Sequence, residues 1–542
     1  MFTGTLQDGS SFIFTDLAGS RPSNLTLSSG GPLPTIDTTP IVVNTATSFL
    51  PGLREGQTLT LQDGGELTNF RSVGGALNLD GGDLGRTALA VDSVVNISGG
   101  TVGDGFSAFQ GSEVNIDGGT IGVRGQVYDS TVDISGGIIG KGFRVERSTL
   151  NISGGSILND IFSGSSLLIS DGSVANISGG DSDEIRVSSG SELNFSGGFT
   201  TLIFLDDDSQ LSVSGGTTGV GALDNSNVDI SAGDIAFIFA SGNSTVNFRG
   251  GSVAGSVRAS GSSTINISGG NAGNDFGGGS GTINVSGGIV GDGVDASSST
   301  INISGGSVGN DFVADFGSEI NISGGQVGND FQAENNSLVN ISGGEIGFGF
   351  DARAGSEVAV SGGALGDQFT ADTESTVNIS GGAFGDEFTV NAGSTVEISG
   401  GNFGSGFAAR FPGTNIVLQG GEFRLNGIDI PALSGLPLGT DGVLTGVLAD
   451  GSSFIFANNS EDFLNNITLS SVALPTLDVT PIVVDTASPG LPSGLRAGQT
   501  LTLQDGGVLG NNFEIVDALV NVNGGIVGDG FGSARSLSLI HI

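Results

Sequence analysis

The chain has 542 residues, of which 100 are Gly and 33 are Phe, with no Cys and no Trp. Acidic residues outnumber basic ones by 56 to 16, so the formal charge of −40 disfavours binding to nucleic acid. A chain without Cys forms neither disulfides nor thiolate metal sites. Hydrophobic residues make up 37% of the sequence, too large a share for a disordered protein. We therefore expect a fold held together by packing and backbone pairing.

The first residues carry no export signal, and no stretch approaches the roughly 18 consecutive apolar residues of a membrane helix, so no membrane span is expected. The segment DGSSFIF at residues 8–14 recurs at 450–456, and GQTLTLQDGG at 56–65 recurs at 498–507. Both recurrences are offset by 442 residues. We therefore interpret Met1 as an internal residue of a longer tandem array.

Residues 1–56 hold short strand-like pieces at 11–14, 24–27 and 40–43, and residues 425–498 repeat them. Eleven of the twelve prolines lie in residues 22–51 and 431–492. Pro removes a backbone N–H and is therefore tolerated poorly inside a paired sheet. We predict that 1–56 and 425–498 are two copies of a small β-rich segment that caps one repeat domain and links it to the next.

Residues 57–424 carry a second, shorter repeat marked by Asn-Ile-Ser-Gly-Gly or a close variant. Its twenty copies between residues 65 and 421 are spaced by about 18.7 residues on average. A fixed period of this size is typical of a solenoid. The longest interval, residues 155–180, contains an insertion around 159–162.

One period, GSEINISGGQVGNDFQAEN at residues 317–335, predicts which solenoid forms. Ile320 and Ile322 alternate with Asn321 and Ser323, which is the two-residue period of a β-strand. The Gly-Gly pair is predicted to end this strand, and Val327 and Phe331 to begin two others. Three short strands and three corners indicate one coil of a parallel β-helix with 18–19 residues per coil.

Stacked coils place like residues above one another, so Val and Ile of the first strand and Phe of the third should form buried ladders. The predicted Phe ladder consists of Phe106, Phe143, Phe276, Phe312, Phe331, Phe350, Phe369, Phe388 and Phe407. The chain lacks both the Leu-x-x-Leu-x-Leu frame of leucine-rich repeats and the hexapeptide frame of left-handed β-helices. We therefore predict an all-β, right-handed parallel β-helix of about 20 coils over 57–424.

Residues 499–536 begin a second β-helix. Residues 537–542, LSLIHI, break the pattern and match the translation of a common transposase sequencing adapter, so we interpret them as an artefact that includes the only histidine, His541.

The outward-facing row of the first strand is Asn or Asp followed by Ser. Its members include the pairs Asn96/Ser98, Asp133/Ser135, Asn151/Ser153, Asn266/Ser268, Asn302/Ser304 and Asn378/Ser380. We expect the amides to hydrogen-bond along the stack and hold its register. An ordered-water or ice-binding array is the alternative, although such faces favour Thr. The match to the N-glycosylation sequon follows from the repeat itself.

A carboxylate recurs at the second corner, in Gly-Asp-x-Phe or Gly-Asn-Asp-Phe. These residues are Asp104, Asp292 (followed by Val instead of Phe), Asp311, Asp330, Asp367, Asp386 and Asp529. Stacked carboxylates repel one another, and Ca²⁺ prefers oxygen ligands, so the first six are candidate calcium ligands. The motif is close to the calcium-binding nonapeptide GGxGxDxUx but has a later Gly and one copy per coil. Solvated turn carboxylates are the simpler interpretation.

A catalytic site on a β-helix needs a carboxylate cluster beside Arg or Lys. The best cluster in this sequence is Asp206, Asp207 and Asp208, with Arg144, Arg147 and Arg186 on earlier coils. Coils from 251 to 401 are nearly interchangeable, whereas a site requires particular residues on particular coils. We therefore predict that the chain is not an enzyme.

The repeat SEINISGGQVGNDF and the linker strings DGSSFIF and GQTLTLQDGG resemble those of repetitive, secreted or surface-attached β-helical proteins of bacteria, in the pectin-lyase-like and adhesin group. The resemblance implies an extracellular or cell-surface location and a stalk or adhesin role, with surface glycans or other copies of the protein as partners. It implies no cofactor and no catalytic residue. A polysaccharide-active enzyme and a Ca²⁺-binding repeat module are the alternative functions.

Overall fold

The computed structural model describes residues 2–14, 28, 30–47, 52–158, 166–409, 413–432, 442–458, 467–485, 494–510, 513–528, 532–534 and 537–540. It divides into two compact units, Met1–Ser256 with Ser262–Ile265, and Val257–Gly261 with Asn266–Ile542. Both units consist of stacked parallel coils, and together they contain about 23 turns of an all-β solenoid. Among the described residues, no helix is long and apolar enough to cross a membrane.

The second unit shows how one coil lies on the next. Strand Glu319–Val327 pairs in parallel with Thr300–Val308 before it and with Leu338–Ile346 after it. Ile320 lies opposite Ile301 in one pairing and opposite Val339 in the other. Like residues therefore stack in columns, which confirms the parallel β-helix predicted from the 18–19-residue period.

The first-wall strands of the second unit after residue 280 are Thr282–Val290, Thr300–Val308, Glu319–Val327, Leu338–Ile346, Glu357–Leu365, Thr376–Phe384, Thr395–Phe403 and Asn415–Leu425. Its third-wall strands are Phe276–Gly279, Asp295–Ser297, Val313–Asp315, Gln332–Ala333, Asp351–Ala352, Thr370–Ala371, Thr389–Val390 and Ala408–Ala409.

The first wall of the first unit contains Thr58–Leu61, Ala76–Leu84, Val94–Val102, Glu113–Ile116, Thr131–Ile134, Thr149–Ile152, Val174–Ile177, Glu192–Phe195, Gln210–Ala222 and Asn227–Ala240. Its third wall includes Arg71–Val73, Leu89–Val91, Ser107–Phe109, Gln126–Tyr128, Phe143–Glu146 and Leu167–Ser170.

The Gly-Gly corner differs from the prediction in much of the second unit, where the strand runs through the corner instead of ending there. Gly325 has a φ of +82°, and a Cβ at that position would lie 2.8 Å from the carbonyl carbon of Gly305 in the coil below. Glycine therefore allows the chain to turn and to stay close to the previous layer. In the first unit, Glu113–Ile116 and Thr120–Ile121 are separate strands, as predicted.

The predicted Phe ladder is continuous in part of the second unit. Six rings from Phe312 to Phe407 stack with consecutive centroid distances of 4.6, 4.7, 4.9, 4.8 and 5.3 Å. Phe106 and Phe143 are buried, but Gly125 occupies the coil between them, and the Phe143 ring fills the space beside it. A second stack, Phe384 on Phe403 at 5.0 Å, was not predicted.

Part of the second linker segment lies on the last coils of the solenoid that precedes it. Hairpin strands Gly442–Leu448 and Ser453–Asn458 are antiparallel to each other, and the first of them pairs antiparallel with Asn415–Leu425. Ile467–Ser471 then adds a parallel strand to the same wall. The Phe456 ring stacks on Phe407 with 4.0 Å between centroids, so the hairpin extends the aromatic ladder.

Coils begin and end inside the segments predicted to be linkers. Ile41–Val43 pairs in parallel with residues 59–61, so the first coil starts before residue 57. Strand Ile482–Val484 starts the next stack by pairing with residues 501–503, and Leu537–Ile540 pairs with Leu519–Val522 in that stack. The right-handed winding and the adapter origin of residues 537–542 stay predictions. Residues 159–162 and His541 lie outside the described residues.

We predict that Phe350→Ala lowers the free energy of unfolding by about 3–5 kcal/mol, because the ring is buried between Phe331 and Phe369 and its removal leaves a cavity. Phe348, in the same coil, is 48% exposed, and its replacement by Ala should change stability by less than about 0.5 kcal/mol. Urea unfolding followed by circular dichroism compares the two. Equal effects would contradict a filled, ordered core.

Candidate functional site: the polar columns of the coils

The first polar column consists of the outward Asn residues. In the second unit, each Asn donates its side-chain N–H to the Asn one coil earlier, through four bonds of 2.8–3.0 Å that link Asn266, Asn284, Asn302, Asn321 and Asn340. Asn78, Asn96 and Asn115 form a shorter series in the first unit. The predicted amide ladder is confirmed. It fixes the register because a shifted coil would lose its amide bonds to both neighbouring coils.

The column ends where the residue type changes. Ala359 follows Asn340 at the same position and has no amide to continue the series, and Glu397 follows Asn378. Two positions along the strand, the repeat Ser donates to a carbonyl of the preceding coil, as in Ser323 Oγ to Ile303 O at 3.4 Å. The outward groups of this wall are therefore bonded mainly to one another, which favours a structural role over an ordered-water array.

The six candidate calcium ligands lie in two neighbouring columns. Asp104, Asp292, Asp367 and Asp386 directly follow the corner Gly. Asp311 and Asp330 lie one residue later, with φ values of +58° and +60°. Where the motif is Gly-Asn-Asp, the Asn takes the position directly after the corner Gly. The Asp then lies one residue later.

The residues directly after the corner Gly, here called the corner column, link each coil to the next. Asp367 Oδ1 accepts the backbone N–H of Asp386 at 2.8 Å, and Asp386 Oδ1 accepts that of Ser405 at 2.7 Å. Asn310 and Asn329 make the same contact with the coil above, at 2.9 and 3.1 Å. Carboxylate and amide are therefore interchangeable here, because each position uses one oxygen as an acceptor. Sequence analysis missed this bond, although the alternation of Asp and Asn was its signal.

Calcium binding finds little support in this geometry. Across the described ranges, no group of three or more His, Cys, Asp or Glu side chains has an arrangement that could hold a metal ion. Asp529, the seventh corner carboxylate, lies outside the described residues. Calcium binding by Asp104, Asp292, Asp311, Asp330, Asp367 or Asp386 stays an untested alternative.

The candidate catalytic residues are distributed over separate ion pairs. Arg186 Nη2 lies 2.6 Å from Asp206 Oδ2. Arg147 binds Asp129 with two hydrogen bonds of 2.8 Å, and its guanidinium lies 3.7 Å from the centre of the Tyr128 ring.

Arg144 pairs with Glu146 in its own strand, at 3.1 Å. Asp207 and Asp208 have positive φ values of 51° and 60°, typical of turn residues. Arg186 therefore reaches Asp206 of the candidate cluster across one coil, whereas Arg144 and Arg147 pair with acids outside that cluster.

One open groove lies on the first wall of the first unit, with a volume of about 630 Å³. Asp80, Asp117 and Asp133 line it together with Asn and Ser of the same columns. Asp80 accepts a hydrogen bond from Ser98 Oγ at 3.1 Å, and Asp133 accepts one from Asn151 at 2.7 Å. Its surface offers carboxylate, amide and hydroxyl groups, which suit a ligand rich in hydroxyls.

Glu514 is a buried acid that sequence analysis did not single out. It is 6% exposed, and burial raises the pKa of its carboxyl well above the usual range, despite a hydrogen bond from the backbone N–H of Ile455 that acts in the opposite direction. Its counterpart in the first copy is Arg71, which is half-buried and starts the equivalent strand, Arg71–Val73. The second copy of this coil therefore holds, beneath the linker hairpin, a carboxyl group whose neutral form is favoured by burial.

Comparison with protein-family models and with curated proteins finds no match for this chain. Its functional interpretation therefore depends on the solenoid and its polar columns.

We predict that Asp386→Asn changes the melting temperature little, because Asn keeps the acceptor oxygen that receives the Ser405 N–H and Asn already serves at residues 310 and 329. Millimolar Ca²⁺ should shift neither the wild type nor the variant. A calcium-dependent rise in wild-type melting temperature that Asp386→Asn abolishes would instead establish a calcium site.

We predict that Glu514→Gln raises stability at pH 7 and removes a pH dependence. The unfolded carboxyl ionises near its usual pKa, whereas burial opposes ionisation of the folded one, so the wild type loses stability as pH rises from about 4.5 towards the raised folded pKa. Below the unfolded pKa this penalty disappears. Urea midpoints at pH 4 and pH 7 test this, with the exposed Glu357→Gln as control. Parallel pH profiles for wild type and Glu514→Gln would contradict it.

Proposed function

We propose that the chain is a structural repeat protein whose stacked coils give a stiff, protease-resistant stalk at a bacterial surface or in a secreted assembly. The observation that carries this proposal is the unbroken register of nearly identical coils from residue 300 to residue 403. Six consecutive coils in that range share the same backbone pairing. Such monotony suits length and rigidity.

The extracellular placement is supported by the resemblance of the repeat and linker strings to secreted and surface-attached β-helical proteins. A chain without Cys also keeps its fold independent of the redox state of its surroundings. The polar bonds of the coils are directed from one layer to the next, so cleavage requires several layers to open together.

Adhesion to glycans is a second candidate function, favoured by the groove that Asp80, Asp117 and Asp133 line. Sugar hydroxyls can donate to these carboxylates and bond with the neighbouring amides. This candidate predicts binding without turnover. Cleavage of an acidic polysaccharide by the full chain would instead support an enzyme.

Limited proteolysis of the full chain tests the structural proposal. We expect trypsin, cutting after Arg and Lys, to spare Arg353 inside the stack for hours, because Arg353 is held by Asp351 and Glu334 and its backbone is paired. Rapid cutting at Arg353 in a chain that is folded by circular dichroism would contradict a stiff stalk. Mass spectrometry locates the cuts.

A further inference from the structure

The chain contains two copies of one hairpin, residues 2–14 and residues 442–458, which we call the first and the second hairpin. Both are antiparallel, with Thr3 opposite Ile13 and Thr445 opposite Ile455. Each binds the solenoid that follows it through the same contact: Ser11 Oγ donates to Leu53 O at 3.1 Å, and Ser453 Oγ donates to Leu495 O at 3.1 Å. The downstream side of the hairpin is therefore occupied in both copies.

The upstream side of the second hairpin is also occupied, by the last coils of the preceding solenoid. Leu448 lies opposite Gly420 in an antiparallel pairing and is 0% exposed. Asp450 Oδ2 accepts the backbone N–H of Gly401 at 3.0 Å, and the Phe454 ring lies 6.4 Å from that of Phe423. Backbone pairing, a carboxylate and apolar side chains thus all contribute to this junction.

The upstream side of the first hairpin presents the same groups without that cover. Leu6, the counterpart of Leu448, is 51% exposed. Asp8 is exposed, yet it makes the same turn bonds as Asp450, to the backbone N–H and hydroxyl of Ser10 at 2.9 and 2.6 Å. Within the described chain, strand Phe2–Thr5 belongs to a sheet of two strands and has an open edge.

We propose that the upstream edge of the first hairpin is a docking surface for the last coils of a second copy of this chain's own 442-residue unit. The partner segment is the equivalent of residues 397–425, the surface that the second hairpin covers. Four positions that meet those coils in the second hairpin, Thr445, Leu448, Asp450 and Phe454, are occupied by the same residue types in the first. An open strand edge supplies the backbone donors and acceptors.

This docking goes beyond the proposed structural role, because it states how one unit joins the next. In the joined state, Leu6 inserts beside the corner glycines of the partner coil, and one Asp8 oxygen accepts the N–H that corresponds to Gly401. The contact joins different surfaces of the two units, so it is heterologous and adds units head to tail. A linear array of solenoids with identical junctions is the consequence.

Single-cysteine labelling tests the proposal, because the chain has no Cys of its own. Leu6→Cys is placed in the full chain and in an extended chain that carries a further copy of residues 1–442 before it. Leu33→Cys, at a residue that is 52% exposed, is the open reference, and Leu448→Cys is the buried reference. A maleimide reagent reports the rate of modification.

In the full chain, Leu6→Cys should react about as fast as Leu33→Cys. In the extended chain its rate should fall at least about tenfold, towards that of Leu448→Cys, since labelling then requires the junction to open. An unchanged rate, with Leu448→Cys still protected, would overturn the proposal. This outcome is distinct from failure of the structural role, which would appear as proteolysis inside the stack.

A second arrangement does not depend on folding of the added unit. Leu448→Asp with Asp450→Ala in a full chain loosens its own cap, and hydrogen exchange at residues 420–425 verifies that these coils open. This chain should slow labelling of Leu6→Cys in a separate full chain, whereas the wild-type chain, whose coils are covered, should not. The same labelling rate with both added chains would count against the docking surface.

Discussion

The parallel pairing of each coil with its predecessor is the interaction on which the rest of the structure depends. Once the backbone of Glu319–Val327 lies in register over Thr300–Val308, every column follows from it. Ile lies over Ile, Asn over Asn and Phe over Phe, so the same few side-chain types recur in each layer. Backbone bonds set the spacing, and side-chain columns make one register better than its neighbours.

Each column contributes in a different way. The Phe rings fill the interior, and their stacking ends where Gly125 or Val294 replaces Phe. The Asn amides bond outside the core, where a shift by one residue would place apolar groups in water. The corner Asp and Asn residues accept a backbone N–H from the coil above and so satisfy a donor that the turn would otherwise leave unpaired. Because each column makes a different kind of interaction, substitutions at neighbouring positions are expected to differ in their effect on stability.

The sequence was sufficient to predict the coil, its period and its columns, because a repeat in sequence becomes a repeat in space. The alternation of Ile320 and Ile322 with Asn321 predicted the first wall, and the series of Phe residues predicted the core. The corner was harder, because Gly325 turns the chain without interrupting its pairing. The sequence did not place Asp311 and Asp330 in a column of their own, which follows from the one-residue offset between Gly-Asp and Gly-Asn-Asp in the structure.

The candidate site was predicted less well than the fold. Ion pairs such as Arg186 with Asp206 join residues of neighbouring coils at positions where the residue type varies. The repeat therefore does not determine them. The burial of Glu514 could be recognised only from the structure, in which the hairpin of residues 442–458 covers this residue. The two copies of the linker lie in different surroundings. Comparing them therefore gives information that the near-identical coils of the short repeat do not give.

Disulfide formation between neighbouring layers is the most direct test of the stacking. Asn302 and Asn321 lie opposite each other on consecutive strands, about 4.8 Å apart, which is within the Cα range of a disulfide. The account predicts that the double variant Asn302→Cys/Asn321→Cys forms an intramolecular disulfide under mild oxidation. It also predicts that Asn302→Cys/Asn340→Cys, two layers apart, does not. A failure of the first pair to cross-link, or equal cross-linking of both pairs, would contradict it.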